Sequence, residues 1–296
     1  MGARKLLDLD NLKTENPKIF VNFCDNYELL DAGGSQKLER WGDIITIRPD
    51  RQAYFKSEIP FTEWEKQAHW KFVEKSNLKG AWKNLNPEKK IWDFKTLDLV
   101  VQLELTRYKH IGLFPEQNIN WEFISKNLHA KDRFLNLFAY TGASSLVARK
   151  VGAEVLHVDS VKQSISWAKK NMELSGLSDV KWVLEDALKF VQREEKRGNS
   201  YDMIQMDPPA WGIGAKGEKW KLEDKIQALI QTTFSILEPK GWLILNTYSP
   251  SQKLSDTRKL VEKIFGKSAE VCSELWMKSK TDKEIYYGDI IRIRKK

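Results

Sequence analysis

Three polar segments follow apolar runs that are typical of buried β-strands. The first is the end of residues 134–142, which read Phe-Leu-Asn-Leu-Phe-Ala-Tyr-Thr-Gly. The second is Asp159, and the third is Asp207-Pro-Pro-Ala-Trp211. Because open α/β sheets bind ligands at the carboxyl ends of their parallel strands, we expect the three segments to meet in one crevice. A glycine turn, an acidic residue and a rigid turn together suit a nucleoside cofactor beside a planar substrate.

The turn after the first of these strands favours a cofactor without phosphates. Dinucleotide sites use a Gly-x-Gly-x-x-Gly turn that lets the backbone approach a pyrophosphate, whereas here only Gly142 is present and Phe138 and Tyr140 fill the space. S-adenosyl-L-methionine has a carboxylate, a ribose and an adenine but no phosphate. Gly142 and the following helix start would meet the carboxylate, and Asp159 would bind the ribose hydroxyls.

The next strand end offers a candidate contact for the adenine. Asp186 could accept a hydrogen bond from the adenine amino group, although an Asp at a strand–helix junction is also an ordinary helix cap. The same alternative is open for Asp159 with Ser160, and the two roles are compatible. Phe138 and Tyr140 could serve packing alone.

The Asp207-Pro208-Pro209 turn is the candidate for substrate chemistry. Two prolines fix φ and remove two N–H donors, so the carbonyl groups of Asp207 and Pro208 form a stiff set of acceptors for the amino group of a base. Asp207 could also act as a base, and Trp211 offers a stacking face. The alternative interpretation is a rigid turn that only ends a buried strand.

The elements that position these residues alternate between short apolar runs and helical periods from residue 133 onward. This pattern predicts an α/β fold with a Rossmann-like, seven-stranded, mostly parallel sheet, and a final strand–turn–strand that forms an antiparallel edge. The front of the chain has short strand-like runs between turns. We therefore predict a β-rich substrate-recognition domain over residues 1–108 and a cofactor-binding domain over residues 109–296.

Four tryptophans crowd the front domain, and we expect them to pack in or near its core, with base stacking as the minority alternative. They are Trp64, Trp70, Trp82 and Trp92. Residues 212–220 are rich in glycine and lysine and lack a helix or strand pattern, which predicts a mobile substrate loop.

The bulk composition limits the classes of protein to consider. The chain has 296 residues, a formal charge of +8 and no apolar run long enough for a membrane span. The charge favours a polyanion such as RNA as a partner, although a well-solvated surface would give the same value. The distant pair Cys24 and Cys272 predicts no disulfide and a reducing cytoplasm. The four histidines show no ligand spacing, so we expect no metal site.

Several of these segments, with three earlier ones, resemble a known bacterial family. The earlier segments are Lys37-Leu-Glu-Arg-Trp-Gly42, Arg48-Pro49 and Gly112-Leu-Phe-Pro-Glu-Gln117. The chain resembles the class I S-adenosylmethionine-dependent rRNA methyltransferase-like family that includes the large-subunit rRNA cytosine-C5 methyltransferases. The resemblance implies a methyltransferase that acts on RNA, with rRNA as the expected partner.

The resemblance also implies a set of site residues. Asp207 and Pro208 would face the target base. The predicted cofactor-binding residues, which include the neighbours of the two acidic strand ends, are Phe114, Gln117, Asn136, Phe138, Tyr140, Thr141, Gly142, Asp159, Ser160, Asp186 and Ala187.

The chain departs from the cytosine-C5 relatives at one place. Those relatives carry a cysteine nucleophile after the fifth strand, where this chain reads Thr247-Tyr248-Ser249. Because a phenol does not easily replace a thiolate, we assign Tyr248 to the catalytic region but expect transfer to a nitrogen or oxygen, which needs only positioning and a proton acceptor. A protein or small-molecule substrate, or a non-catalytic binding protein, remain alternatives, and the sequence leaves the oligomeric state open.

Overall fold

The structure is a computed structural model, and it describes residues 16–21, 26–76, 79–214 and 217–296. Cys24 and Lys216 lie outside the described residues. Within these ranges, no helix is both long and apolar enough to cross a membrane.

An eight-stranded mixed sheet runs through the centre of the molecule. Its strands are β1 (Lys18–Phe20), β9 (Arg133–Leu137), β10 (Glu154–Asp159), β11 (Val180–Leu184), β12 (Tyr201–Met206), β15 (Leu237–Thr247), β16 (Val271–Lys278) and β17 (Glu284–Arg294). Their order across the sheet is β1-β16-β17-β15-β12-β9-β10-β11. Strands β9 to β12 and β15 pair in parallel, and β17 is antiparallel to both neighbours.

This arrangement confirms the predicted α/β fold with an antiparallel closing edge. The seven strands expected from the sequence are present, and β1 adds an eighth by pairing in parallel with β16. The pairing joins Lys18–Phe20 to residues 274–276 across most of the chain, so no local pattern could predict it.

Helices cover both faces of the sheet. They are α2 (Asn118–Asn127), α3 (Ala143–Val151), α4 (Lys162–Leu174), α5 (Ala187–Lys196), α6 (Leu222–Ser235) and α7 (Leu254–Phe265). Successive strand residues point to opposite faces, so Phe134 packs in the core that contains Trp121 of α2, while Leu135 packs in the core that contains Phe190 of α5. Burial on both faces explains why these strands read as continuous apolar runs.

The front part forms a second sheet and a hairpin. The elements are β2 (Tyr27–Gly33), β3 (Gln36–Trp41), β4 (Ile44–Pro49), α1 (Phe61–Gln67), β5 (Trp70–Ser76), β6 (Lys79–Asn84), β7 (Ile91–Thr96) and β8 (Leu99–Glu104). The sheet has the order β2-β3-β4-β5-β6, and β7 pairs with β8. Helix α1 was not expected. The packing prediction for the four tryptophans is confirmed, since three are buried and Trp82 is partly buried.

Side-chain and backbone hydrogen bonds also join the front part to the large sheet and its helices. Strand β8 lies against α4, where the backbone N–H of Gln102 donates to Asn171 Oδ1 at 2.8 Å and Trp167 Nε1 donates to the carbonyl of Gln102 at 2.9 Å. With β1 in the large sheet and Lys37 hydrogen-bonded to Tyr287 of β17, the front part contacts the large sheet and its helices at several places.

The prediction that residues 212–220 lack regular structure was wrong. Strands β13 (Trp211–Ile213) and β14 (Lys219–Lys221) form a short antiparallel hairpin. Trp220 is buried at its base, and its Nε1 donates to the carbonyl of Pro209 at 2.7 Å. The strands are too short to show a pattern, and this single buried side chain anchors them.

Candidate active site

The turn after β9 has an unusual backbone. Phe138 and Tyr140 have φ values of 56° and 51°, in the left-handed region that side chains other than glycine rarely adopt. Gly142 follows with φ of 90°, and a Cβ added there would lie 2.9 Å from the Cβ of Ala168. Both the backbone angle and the close approach of α4 therefore require glycine at this position, directly before α3 begins.

Asp159 ties the turn to the end of β10. Its Oδ2 accepts the backbone N–H of Tyr140 at 2.8 Å, and its Oδ1 accepts that of Val161 at 2.7 Å. Burial raises the pKa of this carboxyl. Because an ionised carboxylate offers about four lone-pair sites, these two bonds leave acceptor positions for a ligand.

A crevice opens between the ends of β9 and β12. It encloses about 390 Å³ of empty space, part of it open to solvent. Its lining residues are Leu113, Phe114, Gln117, Trp121, Asn136, Phe138, Ala139, Tyr140, Thr141, Gly142, Ala143, Ser144, Gln205 and Asp207. Eight residues predicted from the sequence are among them, including Asp207 from the separate Asp-Pro-Pro segment.

Asp207 lies on the β12 side of the crevice. Its Oδ2 accepts a hydrogen bond from Gln117 Nε2 at 2.8 Å, and its Oδ1 has no partner among the described residues. Burial raises the pKa of Asp207 to about 6 and that of the neighbouring Glu116 to about 7. Both carboxyl groups therefore titrate near neutrality, which is the range that suits proton transfer at physiological pH.

Gln205 of β12 lies two residues before Asp207, which follows the end of the strand. Its side chain is 3% exposed, and Nε2 donates to Gln117 Oε1 at 3.3 Å. In the described part of the chain, its Oε1 is buried without a hydrogen-bond partner although the residue lines the crevice. A buried acceptor of this kind calls for a donor from a ligand or from water.

Other predicted residues line the crevice while serving the turn itself. Asn136 Nδ2 donates to Ser145 Oγ at 2.9 Å, and Thr141 Oγ1 donates to the carbonyl of Gly112 at 2.5 Å. The ring of Phe114 lies 5.3 Å from that of Tyr140, so two aromatic side chains flank one side of the opening. These contacts fix the shape of the crevice.

Four of the predicted cofactor residues do not line the crevice. Asp159 holds the turn by accepting the backbone N–H of Tyr140, and Ser160 follows it. Asp186 caps α5 by accepting the backbone N–H of Lys189 at 3.0 Å, and Ala187 is buried in the first turn of that helix. Asp186 and Ala187 lie beyond the end of β11, two strands from β9. Their cofactor roles stay predictions.

The Asp-Pro-Pro loop meets Tyr248 and the front part. Pro208 is buried, whereas Pro209 is exposed and forms a parallel bridge with Tyr248. Tyr248 is 46% exposed, and its hydroxyl accepts from Gln52 Nε2 of the front part at 3.0 Å. Trp211 is 63% exposed beside this loop. Two aromatic faces are thus available to a planar group outside the crevice.

Neither a thiol nor a metal cluster accompanies these groups in the described residues. Cys272 lies in β16, where burial raises the pKa of its thiol, and it does not line the crevice. Within residues 16–21, 26–76, 79–214 and 217–296, no group of three or more His, Cys, Asp or Glu side chains could hold a metal ion.

Sequence reasoning missed several residues that line the crevice: Leu113, Trp121, Ala139, Ala143, Ser144 and Gln205. Ser144 could have been found from its place in the first turn of α3, and Gln205 from its spacing to Asp207. Trp121 gives no local signal, because only the packing of α2 on α3 brings it to the crevice, where its Nε1 donates to Ser144 Oγ at 3.1 Å.

Comparison with known proteins agrees with this geometry. Residues 69–254 match the S-adenosylmethionine-dependent methyltransferase family. A crystal structure of an S-adenosylmethionine-dependent methyltransferase from Agrobacterium tumefaciens is 32% identical, with a TM-score of 0.88, and the alignment covers 95% of this chain and 96% of that one.

Two curated relatives are ribosomal RNA large subunit methyltransferases. Methyltransferase K/L of Shewanella frigidimarina is 31% identical over 149 residues, which are 49% of this chain and 20% of that protein. Methyltransferase I of Aeromonas salmonicida is 32% identical over 161 residues, which are 53% of this chain and 39% of that protein. This chain therefore matches well under half the length of either relative.

The crevice fits the cofactor of this family. It combines a single-glycine turn, the start of α3 and the unpaired acceptor of Gln205, and the Asp159 carboxylate is bonded to the same turn. It lacks the triple-glycine turn that a pyrophosphate needs. The chain belongs to the S-adenosylmethionine-dependent methyltransferase family.

Proposed function

We propose that this protein transfers a methyl group from S-adenosyl-L-methionine to a nitrogen or oxygen of a base in RNA, with rRNA as the favoured substrate. The observation that carries the proposal is the position of Asp207. It lies on the wall of the crevice beside the Gly142 turn, with one carboxylate oxygen bound by Gln117 and the other available.

The first part of the proposal concerns the cofactor. When bound, S-adenosylmethionine supplies a methyl group on a positively charged sulfur, which a lone pair can attack. The backbone N–H groups at the start of α3 and the Ser144 hydroxyl suit its carboxylate, and the remaining lone pairs of Asp159 suit the ribose hydroxyls. Phe114 and Tyr140 would shield the opening from water.

The second part concerns the methyl acceptor. A nitrogen or oxygen that gains a methyl group must lose a proton to leave a neutral product. The free oxygen of Asp207 would accept that proton, and its pKa of about 6 allows the carboxyl group to be ionised at neutral pH. The rigid carbonyl groups of Asp207 and Pro208 would hold the base amino group. Tyr248, in place of a cysteine, supports a direct rather than a covalent transfer.

The third part concerns the RNA. The curated relatives are named as rRNA methyltransferases, the formal charge is +8, and Trp211 and Tyr248 present exposed rings beside the Asp-Pro-Pro loop. Base stacking on aromatic faces is a common and sequence-tolerant mode of binding single strands. We infer that residues 1–108 contribute to RNA selection, because Gln52 contacts Tyr248. An RNA substrate also agrees with the cytoplasmic location expected from the sequence.

The test is to compare rRNA nucleosides from a strain that lacks the gene with those of its parent by mass spectrometry. We expect the loss of one N- or O-methylated nucleoside. Purified protein with labelled methyl donor should restore it on RNA from the deletion strain. An unchanged nucleoside profile together with methylation of protein in an RNA-free extract would contradict the proposal.

A further inference from the structure

A chain of buried polar side chains connects the last strand of the large sheet to Asp207. Arg292 of β17 donates from Nη2 to Asn120 Oδ1 at 2.8 Å. Asn120 Nδ2 donates to Gln117 Oε1 at 2.8 Å, and Gln117 Nε2 donates to Asp207 Oδ2 at 2.8 Å. Arg292, Asn120 and Gln117 are at most 8% exposed, so water does not compete strongly for these bonds.

The direction of the bonds is fixed at the Arg292 end. A guanidinium group has N–H donors and no acceptor, so Asn120 must turn its carbonyl oxygen toward Arg292 and its NH₂ group toward Gln117. Burial lowers the pKa of Arg292 to about 10, which still leaves it protonated at neutral pH. In the opposite orientation, the NH₂ group of Asn120 would face the N–H donors of Arg292.

A second anchor demands the same orientation. Asn246 Nδ2 donates to the backbone carbonyl of Asp289 at 3.3 Å, and a carbonyl can only accept. The Asn246 Oδ1 must therefore face the other way, where it accepts from Asn120 Nδ2 at 2.6 Å. One donor-only group and one acceptor-only group thus independently set the Asn120 amide.

The orientation of the Asn120 amide also fixes the orientation of the Gln117 amide. Its Oε1 accepts from both Asn120 at 2.8 Å and Gln205 at 3.3 Å, which fills the two lone pairs of the oxygen. Its NH₂ group must then face Asp207. Gln205 lines the crevice and donates from Nε2 to Gln117, and its Oε1 has no hydrogen-bond partner in the described part of the chain. The orientation of the Asn120 amide thus determines which atoms of Gln117 and Gln205 are donors and acceptors at the crevice wall.

We propose that Arg292 is a positioning residue that acts through Asn120 and Gln117 to hold the Asp207 carboxyl group as an ionised acceptor facing the crevice. A donated N–H favours the charged form of a carboxyl group, so this relay opposes the effect of burial on Asp207. The importance of the relay for methyl transfer rests on the proposed function, whereas the relay itself exists in the folded protein without any substrate.

The relay can be tested by measuring the pKa of Asp207 with ¹³C NMR on protein labelled at the aspartate carboxyl carbon, using Asp207→Asn to assign the signal. The Gln117→Met variant removes the donor and should raise this pKa by about one unit. Asn120→Leu cuts the relay while Arg292 keeps its charge, and should give most of the same rise. Glu116 titrates nearby, so its signal is followed in a parallel glutamate-labelled sample.

A matched pair of substitutions at Arg292 separates the effect of its hydrogen-bond donors from the effect of its packing on Phe123. Arg292 lies over the ring of Phe123 at 4.3 Å, and both Arg292→Lys and Arg292→Gln remove the guanidinium from that contact. Both substitutions are made in an Asn246→Leu background, which removes the second anchor of the Asn120 amide. In that background lysine remains a donor only, whereas glutamine can donate or accept and so releases the amide orientation. We expect Arg292→Lys to keep the Asp207 pKa near that of the Asn246→Leu protein and Arg292→Gln to raise it.

Two outcomes would overturn the proposal. One is an unchanged Asp207 pKa in Gln117→Met, and the other is equal shifts, or no shifts, in the two Arg292 variants. If Asn120→Leu does not fold, the Arg292 pair decides the matter. Because the titration uses no RNA and no methyl donor, its result is independent of whether the proposed reaction occurs.

Discussion

Two groups of buried polar side chains differ in how completely they are paired. The front ion cluster consists of Lys37, Glu39, Arg48, Asp50 and Tyr287. Arg48 donates to both oxygens of Glu39, at 2.6 and 2.8 Å, and Lys37 Nζ lies 3.4 Å from Glu39 and 3.3 Å from Asp50. Burial alone would raise the pKa of Glu39, but its neighbours Arg48 and Lys37 lower it to about 2.

The crevice shows the opposite pattern. Gln205 Oε1 is buried without a partner in the described part of the chain, and burial raises the pKa of Asp207 to about 6. Both residues line the crevice. Buried polar groups in native proteins are usually hydrogen-bonded, so an unpaired acceptor on the crevice wall suits a donor from a ligand. The fully paired front ion cluster is therefore expected to contribute to stability, and the partly unpaired groups of the crevice are expected to contribute to ligand binding.

The largest expected effect is on the reaction. Asp207→Ala should lower the rate of methyl transfer roughly 10²–10⁴-fold, because the proposed proton acceptor is lost, while the dissociation constant for adenosylhomocysteine changes less than about tenfold. Steady-state assays and calorimetry measure the two quantities. Asp43→Ala, in an exposed turn, is the control and should leave both unchanged. Retained turnover in Asp207→Ala would remove this residue from the mechanism.

The front ion cluster should affect stability instead. Glu39→Gln leaves Arg48 and Lys37 without their buried counter-charge, and should lower the free energy of unfolding by about 3–5 kcal/mol in urea titrations. Glu28→Gln, in a half-exposed pair with Arg40, should cost less than about 1 kcal/mol.

The pH dependence of this contribution has a definite sign. The pKa of Glu39 is about 2 in the folded protein, against an ordinary value of 4.5. Its stabilising contribution is therefore complete above about pH 4.5 and is lost as the pH falls toward 2. A Glu39→Gln variant as stable as the wild type at pH 7 would show that the cluster is not structural.

A third, smaller effect concerns the turn before α3. Gly142→Ala combines a left-handed φ with the 2.9 Å approach to Ala168, and should lower the free energy of unfolding by about 2–3 kcal/mol while weakening adenosylhomocysteine binding. Gly176→Ala has a similar φ of 65° but no atom within 4 Å of the added Cβ. This control should cost about 1 kcal/mol and leave binding unchanged; equal costs would rule out the close contact as a cause.

The smallest effect is on the unpaired acceptor. Gln205→Met keeps the shape of the side chain but removes Oε1, and should weaken adenosylhomocysteine binding by about tenfold, or roughly 1.4 kcal/mol. The control is Gln67→Met on α1, which lies far along the chain from the crevice-lining residues. If calorimetry gave the two variants the same affinity as the wild type, Gln205 would not contact the cofactor.

Much of the fold could be predicted because its signals are local. Each parallel strand carries its own apolar run, and the Gly142 turn and the Asp-Pro-Pro segment stand at their ends in the sequence. The pairing of β1 with β16 and the hairpin β13–β14 could not be predicted, since the first depends on distant chain and the second on one buried side chain, Trp220.

The candidate site divides in the same way. Residues next to a strand end, such as Asp159 and Asp207, were identified from their position alone. Asn120, Asn246 and Arg292 come from three separate elements, and only the packed fold shows that their donors and acceptors form one relay. Asp186 illustrates the remaining difficulty, because the Asp-at-a-junction signal is the same for a helix cap and for a cofactor contact.

A crystal structure of the protein with adenosylhomocysteine tests the central claim most directly. We predict that the ligand fills the crevice between β9 and β12, with its carboxylate at the start of α3, its ribose at Asp159, and a donor within about 3.2 Å of Gln205 Oε1. An empty crevice at saturating ligand, or a ligand bound elsewhere with Gln205 Oε1 still unpaired, would contradict the account.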